Sequence, residues 1–424
     1  MRRSAPSPPG WPVPSRRAVL ALLGAAALPL PAFAQAKPRV VVVGGGFGGA
    51  TCARALHRAG IAVTLVEPSP AYTACPFSNA VVAGLRDMEG QTFGYDGLTR
   101  EGVALVPDRA VGVETGAVAL AGGGRLPFDR LVLAPGIDIV FGALPGYDEQ
   151  AAERMPHAWK AGPQTVLLRD RLRALPDGGT VVMSVPANPY RCPPGPYERA
   201  SLIAHYLKTH KPRSKLLVLD AKDSFSKQKL FQQAWAELYP GLLEWVPLSA
   251  GGKVTAVEGN ALVTDFQRVT ADVATVIPPQ RAGAIAAAAG AADRSGWCPI
   301  DPVTFESRLR PGVHVIGDAA IAGAMPKSAF AANAQAKVCA AAVAALLRGA
   351  APDPPKLINT CYSLVAPDYG ISVAGVYRAA DGRLVDIEGA GGTSPPDAAR
   401  SVRAQEAAYA EAWFRTVTSA VFGS

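Results

Sequence analysis

The 424-residue sequence has little cysteine, few aromatic residues and no long hydrophobic run. Its six cysteines form no C-x-x-C pair and no C-x-x-C-H motif, which argues against a metal knuckle and against covalently bound c-type haem. The most hydrophobic stretch, residues 18–30, is shorter than the roughly 20 residues of a membrane-spanning helix, so we expect no transmembrane segment in the mature protein. No basic stripe interleaved with aromatic residues gives a reason to expect nucleic-acid binding. With 49% hydrophobic residues, the chain is predicted to be globular, with two or three domains.

The N-terminus carries the features of an export signal. Arg16 and Arg17 precede a weakly apolar stretch, which ends in an A-x-A site at residues 32–34. This pattern predicts a twin-arginine signal peptide over residues 1–34, cleavage after Ala34 and a periplasmic location; a chance basic N-terminus is the alternative. Removal of the peptide takes away four arginines and no acidic residue, which lowers the formal net charge from +8 to +4. A charge of that size could still help an acidic protein partner to dock.

A glycine-rich turn follows the first predicted strand, residues 39–43. Gly44, Gly46 and Gly49 form a G-x-G-x-x-G motif that leads into a predicted helix, and a second strand over residues 62–66 ends at Glu67. In such a unit the turn and the helix N-terminus hold a pyrophosphate, and the acidic residue holds a ribose hydroxyl. The order of these features predicts a dinucleotide site rather than a turn without a ligand, but it does not separate FAD from NAD.

Two later segments favour FAD. Residues 131–136 form an apolar strand that ends in Pro135 and Gly136, and residues 312–319 include Gly317 and Asp318. In this order they resemble the second and third flavin motifs of flavoproteins with two dinucleotide-binding domains. The strand over residues 110–113 resembles the one that meets the adenine, with Val111 as the expected contact; a plain packing strand is the alternative.

The middle of the chain lacks the turn that NAD(P)H would need. The strand over residues 179–185 runs into residues 186–196, which contain five prolines and a single glycine and therefore offer few backbone N–H groups to a pyrophosphate. We expect an α/β fold with tandem Rossmann-like two-dinucleotide-binding domains and a C-terminal α+β domain, and a reductant other than NAD(P)H. The predicted divisions are a FAD-binding domain over residues 35–147 and 283–351, a second Rossmann-like domain over 148–282, and a C-terminal flavin-covering or interface domain over 352–424.

Four segments carry a more specific resemblance: residues 72–79, 190–199, 325–328 and 359–373. With them the chain resembles, from about residue 37 to residue 377, the flavoprotein subunit of flavocytochrome c sulfide dehydrogenase, within the wider sulfide:quinone reductase-like flavoproteins. The resemblance implies FAD linked covalently to Cys75, although Ala74 and Pro76 depart from the family pattern and noncovalent FAD is the alternative. It also implies a redox-active disulfide between Cys192 and Cys361; a purely structural disulfide or two free thiols is the alternative.

Two further residues take roles from the same resemblance. Glu198 matches a family acid/base, although a carboxylate on the first turn of a helix is also favoured there by the helix dipole. Lys327 would place positive charge beside the flavin, with a surface lysine as the alternative. Three other cysteines are interpreted as buried packing residues, namely Cys52, Cys298 and Cys339.

The expected function is FAD-dependent oxidation of sulfide to sulfur or polysulfide. Because the chain has no haem motif, we expect the electrons to pass to a c-type cytochrome subunit on another chain, in a heterodimer. The alternatives are a sulfide:quinone reductase and an accessory flavoprotein partner of a thiosulfate-oxidation complex. No metal site is expected.

Overall fold

The computed structural model describes Met1 and residues 37–423. Residues 2–34 of the expected signal peptide, with its cleavage site, lie outside the described residues.

The described chain folds into short strands and a smaller number of helices. Its strands are, in chain order, β1 Arg39–Val43, β2 Ala62–Val66, β3 Ala71–Thr73, β4 Thr92–Gly94, β5 Ala104–Val106, β6 Ala110–Glu114, β7 Ala117–Leu120, β8 Arg125–Pro127, β9 Arg130–Leu133, β10 Ile137–Ile139, β11 Thr180–Val185, β12 Lys215–Asp220, β13 Leu243–Val246, β14 Val254–Glu258, β15 Ala261–Thr264, β16 Arg268–Thr270, β17 Val273–Val276, β18 Gln280–Ala282, β19 Cys298–Pro299, β20 Val313–Val315, β21 Ala320–Ile321, β22 Lys356–Ala366, β23 Tyr369–Ala380, β24 Arg383–Asp386 and β25 Gly392–Thr393.

The α-helices are α1 Phe47–Arg58, α2 Ser78–Val82, α3 Asp96–Glu101, α4 Glu149–Arg154, α5 Pro163–Ala174, α6 Gly195–His210, α7 Gln228–Leu238, α8 Ile285–Ala288, α9 Ala329–Leu347 and α10 Arg400–Phe422. Short 3₁₀ turns lie at Glu89–Gln91, Leu248–Ala250 and Gly317–Ala319.

A five-stranded parallel sheet forms the first layer, in the order β20-β9-β1-β2-β5. Its central strand β1 is a run of valines that is buried from Val40 to Val43, as expected for a β-branched strand covered on both faces. Strand β20 comes from far along the chain, so one sheet joins residues 39–133 to residues 313–315. The strands predicted at residues 39–43 and 62–66 are confirmed, whereas the apolar strand predicted over residues 131–136 spans Arg130–Leu133 and leaves Pro135 and Gly136 in the loop after it.

A second parallel sheet has the order β13-β12-β11-β17. Here the residues after β11 form a proline-rich loop that leads into α6, in place of a glycine-rich turn. The predicted class of two Rossmann-type units is confirmed by these two sheets. The domain bounds themselves stay a prediction.

Helix α9 packs against α1 and against β22. The hydroxyl of Ser328 caps its N-terminus by accepting a hydrogen bond from the Ala331 N–H at 3.0 Å. Among the described helices, α9 is the one whose length and composition would suffice to cross a membrane, and half of its most apolar window is buried inside the protein.

The C-terminal part is an antiparallel sheet of β22, β23, β24 and β25, followed by α10. Helix α10 lies on β23 and reaches back to α1 in the first layer. Phe414 and Phe422 of α10 are buried against Phe77, Tyr72 and Phe93. Helix α10 therefore packs beside the start of α1, where the glycine-rich turn ends.

Candidate functional site

One cavity of about 440 Å³ lies where the first sheet, the start of α6 and strand β22 meet. Eleven of the residues that the sequence singled out line it: Gly44, Gly46, Glu67, Cys75, Pro135, Gly136, Cys192, Glu198, Gly317, Asp318 and Cys361. Three others do not line it, namely Gly49, Val111 and Lys327.

The glycine-rich turn needs its glycines because the backbone approaches itself closely. Gly44 has a φ of +101°, and a Cβ there would lie 2.4 Å from the Ala134 carbonyl oxygen. A Cβ on Gly49 would lie 1.7 Å from the Gly44 carbonyl oxygen. Gly49 therefore packs against the Gly44 carbonyl inside the turn, whereas Gly44 and Gly46 line the cavity. Helix α1 begins at Phe47, so the free amides of its first turn lie at the same place.

Glu67 at the end of β2 is held beside this turn. One carboxylate oxygen accepts the Gly45 N–H at 2.8 Å and the other accepts the Ser69 N–H at 2.9 Å. The Tyr95 hydroxyl lies against Gly45, and burial together with the charge of Glu67 raises the pKa of that phenol. The carboxylate is thus oriented at the position where a ribose hydroxyl would bind.

Asp318 is placed by the 3₁₀ turn after β20. Its Oδ2 lies 4.0 Å from an Arg191 guanidinium nitrogen, while burial raises the pKa of the carboxyl and Arg191 opposes that rise. Lys327 lies next to it, but its ammonium donates to the carbonyl oxygens of Asp318 and Ala320, each at 2.8 Å, and stands over the Trp297 ring. Burial lowers the pKa of Lys327 to about 8. The structure therefore does not bring the Lys327 ammonium to the cavity.

The cavity fits a dinucleotide. Among the described residues, three buried polar atoms on its walls have no hydrogen-bond partner: the Tyr95 hydroxyl, Trp159 Nε1 and Asp318 Oδ1. Buried polar groups are nearly always paired, so these atoms and the glycine turn fit a polar ligand such as FAD. Val111 on β6 is half exposed and lies away from the cavity.

Cys75 lies in the loop between β3 and α2, and its Sγ is 3.8 Å from the Trp159 carbonyl oxygen. That same oxygen accepts a hydrogen bond from Arg191, so a cation stands beside the thiol. Cys75 lies on the wall of the cavity.

Cys192, in the loop before α6, and Cys361, on β22, both line the cavity, and both are free thiols in this structure. Cys192 has a φ of +58°, a left-handed conformation that is strained for a non-glycine residue and often occurs at functional sites. Gly195 permits the thiol to lie against the first turn of α6, because a Cβ on Gly195 would be 2.9 Å from the Cys192 sulfur. Burial, and then the neighbouring Cys361 and Glu198, raise the pKa of the Cys192 thiol.

Glu198 lies on the first turn of α6 and joins three elements. One carboxylate oxygen accepts the Leu364 N–H of β22 at 2.9 Å, and the other accepts the Asn79 side-chain N–H at 2.8 Å. Asn79 in turn accepts a hydrogen bond at 3.0 Å from Arg199, whose side chain is buried. Burial raises the pKa of Glu198, and the two hydrogen bonds oppose that rise. A carboxyl held in this way can exchange a proton within the cavity.

Sequence reasoning missed several polar residues around the sulfurs: Asn79, Arg199, Lys227 and Asn359. Three of these lie inside segments that carried the resemblance, where a polar side chain beside a candidate cysteine was a usable signal. Lys227 had no such signal, because it lies 134 residues from Cys361, whose carbonyl oxygen it contacts.

In the second sheet, the acidic residue at the position that corresponds to Glu67 is hydrogen-bonded to other side chains of the protein. Asp220 ends β12 as Glu67 ends β2, but it is fully buried. Its carboxylate accepts hydrogen bonds from Tyr197 at 2.6 Å, Trp245 at 3.0 Å and Lys222 at 2.6 Å. No oxygen remains open to a ribose, which adds to the effect of the proline-rich loop. Among the described residues, no group of three or more His, Cys, Asp or Glu could hold a metal ion.

Comparison with protein families gives three matches along the chain. Residues 38–162 match pyridine nucleotide-disulphide oxidoreductase, residues 165–278 match the central part of the sulfide dehydrogenase [flavocytochrome c] flavoprotein chain, and residues 353–422 match the flavin-binding part of flavocytochrome c sulphide dehydrogenase. A curated relative, the sulfide dehydrogenase [flavocytochrome c] flavoprotein chain of Chlorobaculum thiosulfatiphilum, is 64% identical over 45 residues, which cover 94% of the relative and 10% of this chain.

Solved structures are similar in fold. The sulfide:quinone oxidoreductase of Aquifex aeolicus has a TM-score of 0.71 at 16% identity, over 91% of this chain and 93% of that chain. The NAD-dependent persulfide reductase of A. fulgidus has a TM-score of 0.57 at 15% identity, over 88% of this chain and 77% of that one.

The substitution Gly49→Ala is expected to abolish retention of the flavin, because its Cβ would force the Gly44 carbonyl out of the turn. Flavin absorbance per mole of purified protein measures this. Gly48→Ala is the matched control, since a Cβ there would meet its nearest neighbour at 3.6 Å, an ordinary contact. Equal flavin content in both variants would contradict the role of the glycine-rich turn in holding the flavin.

Proposed function

We propose that this chain, which belongs to the family of flavocytochrome c sulfide dehydrogenase flavoprotein chains, oxidises sulfide at a redox disulfide beside FAD and passes the electrons to a c-type cytochrome on a partner chain. The observation that carries this is the meeting of Cys192, Cys361 and Glu198 in the same cavity as the glycine-rich turn. FAD supplies, when bound, an acceptor for an electron pair that can be given up one electron at a time.

Different residues would bind different parts of FAD. The turn at Gly44 and Gly46, with the N-terminus of α1, is placed for the pyrophosphate, and Glu67 for a ribose hydroxyl. Asp318, whose Oδ1 has no partner among the described residues, is placed for the ribityl chain.

Sulfide chemistry falls to the two cysteines in this proposal. Hydrosulfide is a thiol-like nucleophile, and a disulfide is the electrophile that such a nucleophile opens. Attack leaves one cysteine as a persulfide and the other as a thiolate, so the disulfide is reduced while the sulfide sulfur is oxidised. A second sulfide that attacks the persulfide would carry the product away as a polysulfide.

The internal use of Asp220 supports a reductant other than NAD(P)H. Lys222 and Tyr197 fill the space around that carboxylate, and the loop after β11 offers prolines where a pyrophosphate would need N–H groups. Sulfide would then donate its electrons at the two cysteines. An external one-electron acceptor would take these electrons from the protein.

Single substitutions Cys192→Ser and Cys361→Ser are each expected to reduce sulfide-dependent cytochrome c reduction to background, because either one removes the disulfide. Cys298→Ala is the control, since Cys298 is buried away from the cavity. Activity in both serine variants would contradict the disulfide mechanism. A purified protein that reduces a quinone faster than cytochrome c would favour a sulfide:quinone reductase instead.

We assign proton exchange during this reaction to Glu198. Glu198→Gln keeps the size of the side chain and the acceptor for the Leu364 N–H, but it removes the ionisable proton. The expected loss in sulfide turnover is about a hundredfold, within the range of general acid–base catalysis. Because burial raises the pKa of the carboxyl, the acidic limb of the wild-type pH profile should lie above the usual range of a glutamate and vanish in the variant.

Covalent attachment of FAD to Cys75 is supported by the position of that thiol on the cavity wall. After acid denaturation of the wild-type protein, flavin should stay on the peptide that contains Cys75. In Cys75→Ser it should be released to the supernatant. Peptide mass and visible absorbance decide between the two, and free flavin from the wild type would show that the cofactor is noncovalent.

Export to the periplasm is supported by the Arg16-Arg17 pair, the weakly apolar stretch after it and the A-x-A site at residues 32–34. The mature protein should begin at Gln35, and replacing both arginines by lysine should leave the precursor in the cytoplasm. N-terminal sequencing of the fractionated protein tests this, and an intact N-terminus in the periplasm would contradict it.

A further inference from the structure

The sulfur of Cys361 has a hydrogen-bond donor of its own. The side-chain N–H of Asn359 points to Cys361 Sγ at 3.3 Å, two residues earlier on the same strand. Asn359 is 2% exposed, and its Oδ1 accepts a hydrogen bond from Ser328 at 2.6 Å. That second bond fixes the amide so that its nitrogen faces the sulfur. A neutral donor directed at sulfur stabilises the thiolate.

A buried cation lies beside the same cysteine. The Lys227 ammonium donates to the Cys361 carbonyl oxygen at 2.9 Å, to Ser363 Oγ at 2.8 Å and to the Ile371 carbonyl oxygen at 3.4 Å. Lys227 is 8% exposed, and no carboxylate pairs with it among the described residues. Its backbone has a φ of +63°, a conformation that is costly for lysine, at the residue before α7. The loop before α7 thus places a positive charge against the hairpin of β22 and β23.

Ionisable groups from three directions face this ammonium. They are Cys361 on β22, Cys192 and Glu198 at the start of α6, and Glu406 on α10. Burial lowers the pKa of Lys227 to about 8, and these groups oppose that fall. The lysine is therefore charged at neutral pH and loses its charge as the pH rises through about 8.

Cys192 has a different environment. It precedes the first turn of α6, where helix amides favour a thiolate, but among the described residues no hydrogen-bond donor reaches its sulfur. Glu198, on that same turn, places a carboxylate nearby, and burial raises the pKa of the Cys192 thiol. The two cysteines are thus unequal as thiolates.

We propose that Lys227 and Asn359 set the polarity of the disulfide, so that sulfide attacks Cys192 and Cys361 leaves as the thiolate. In thiol–disulfide exchange the sulfur that forms the more stable thiolate leaves faster. A bond forms between hydrosulfide and Cys192 Sγ while the bond between the two cysteine sulfurs breaks, and Cys361 keeps the electron pair. Cys192 becomes the persulfide, and no other oxidant is needed. The inference rests on the proposed function, through its disulfide, and makes Lys227 and Asn359 positioning residues.

The inequality is measured on the reduced holoprotein by iodoacetamide alkylation, with each cysteine followed by peptide mass. At pH 7, Cys361 is expected to react faster than Cys192. Lys227→Met should slow Cys361 by roughly tenfold, because it removes the positive charge that lies beside this cysteine. Lys227→Arg should restore most of the rate. Ser363→Ala, which removes a contact of the ammonium but not its charge, should stay within about twofold of the wild type.

Asn359→Ala is the second variant, for the case that Lys227→Met does not fold. It should also lower the alkylation rate of Cys361. Faster reaction of Cys192, or an unchanged Cys361 rate in Lys227→Met and Asn359→Ala, would overturn the proposal.

The direction of attack is read separately on the oxidised holoprotein. After one equivalent of sulfide and a rapid acid quench, the extra sulfur should be on the Cys192 peptide. Extra sulfur on Cys361 overturns the polarity but leaves the disulfide function standing. Extra sulfur on neither cysteine overturns the disulfide function itself, and the polarity with it.

Discussion

The site depends on the contact between strand β22 and the start of helix α6. The Leu364 N–H donates to Glu198 across 166 residues of sequence, and this bond ties the strand that carries Cys361 to the helix that follows Cys192. A charge-assisted hydrogen bond in a water-poor site is both stronger and more directional than one at the surface. The Lys227 ammonium also bonds to Cys361, Ser363 and Ile371, and the Tyr239 hydroxyl donates to the Val365 carbonyl oxygen. Together these contacts hold the C-terminal hairpin against the second unit.

The two parallel sheets differ in how they use the acidic residue at the end of one strand. Both end a strand in an acidic residue at the place where a nucleotide would bind. Glu67 accepts only backbone N–H groups and faces the cavity, whereas the carboxylate of Asp220 is surrounded by Tyr197, Trp245 and Lys222. An acid that is fully paired inside the protein has no free oxygen for a ligand. The second unit has the same type of parallel sheet, and its loops and helix α6 carry Cys192, Lys227 and Glu198.

Prediction from sequence worked best where the signal is local. The valine run of β1, the glycine turn and the acid after β2 follow each other within about thirty residues, and the structure places them as expected. It worked less well for side chains whose direction depends on distant neighbours. The Lys327 ammonium turns to the carbonyl oxygens of Asp318 and Ala320 and to the Trp297 ring, and Val111 stays on a small sheet outside the cavity.

The sequence by itself determined the first dinucleotide unit and the absence of a second glycine-rich nucleotide turn, because these depend on periodicity, glycine geometry and proline chemistry within short segments. The choice of Cys75, Cys192 and Cys361 came from the resemblance to a known family. Only the tertiary structure decided which groups surround each sulfur. Asn79, Asn359 and Lys227 come to the site from three separate parts of the chain, and for Lys227 no local pattern marks a side chain that will be buried beside a thiol. Their effect is electrostatic and falls with distance, so it exists only once folding has brought them within a few ångströms.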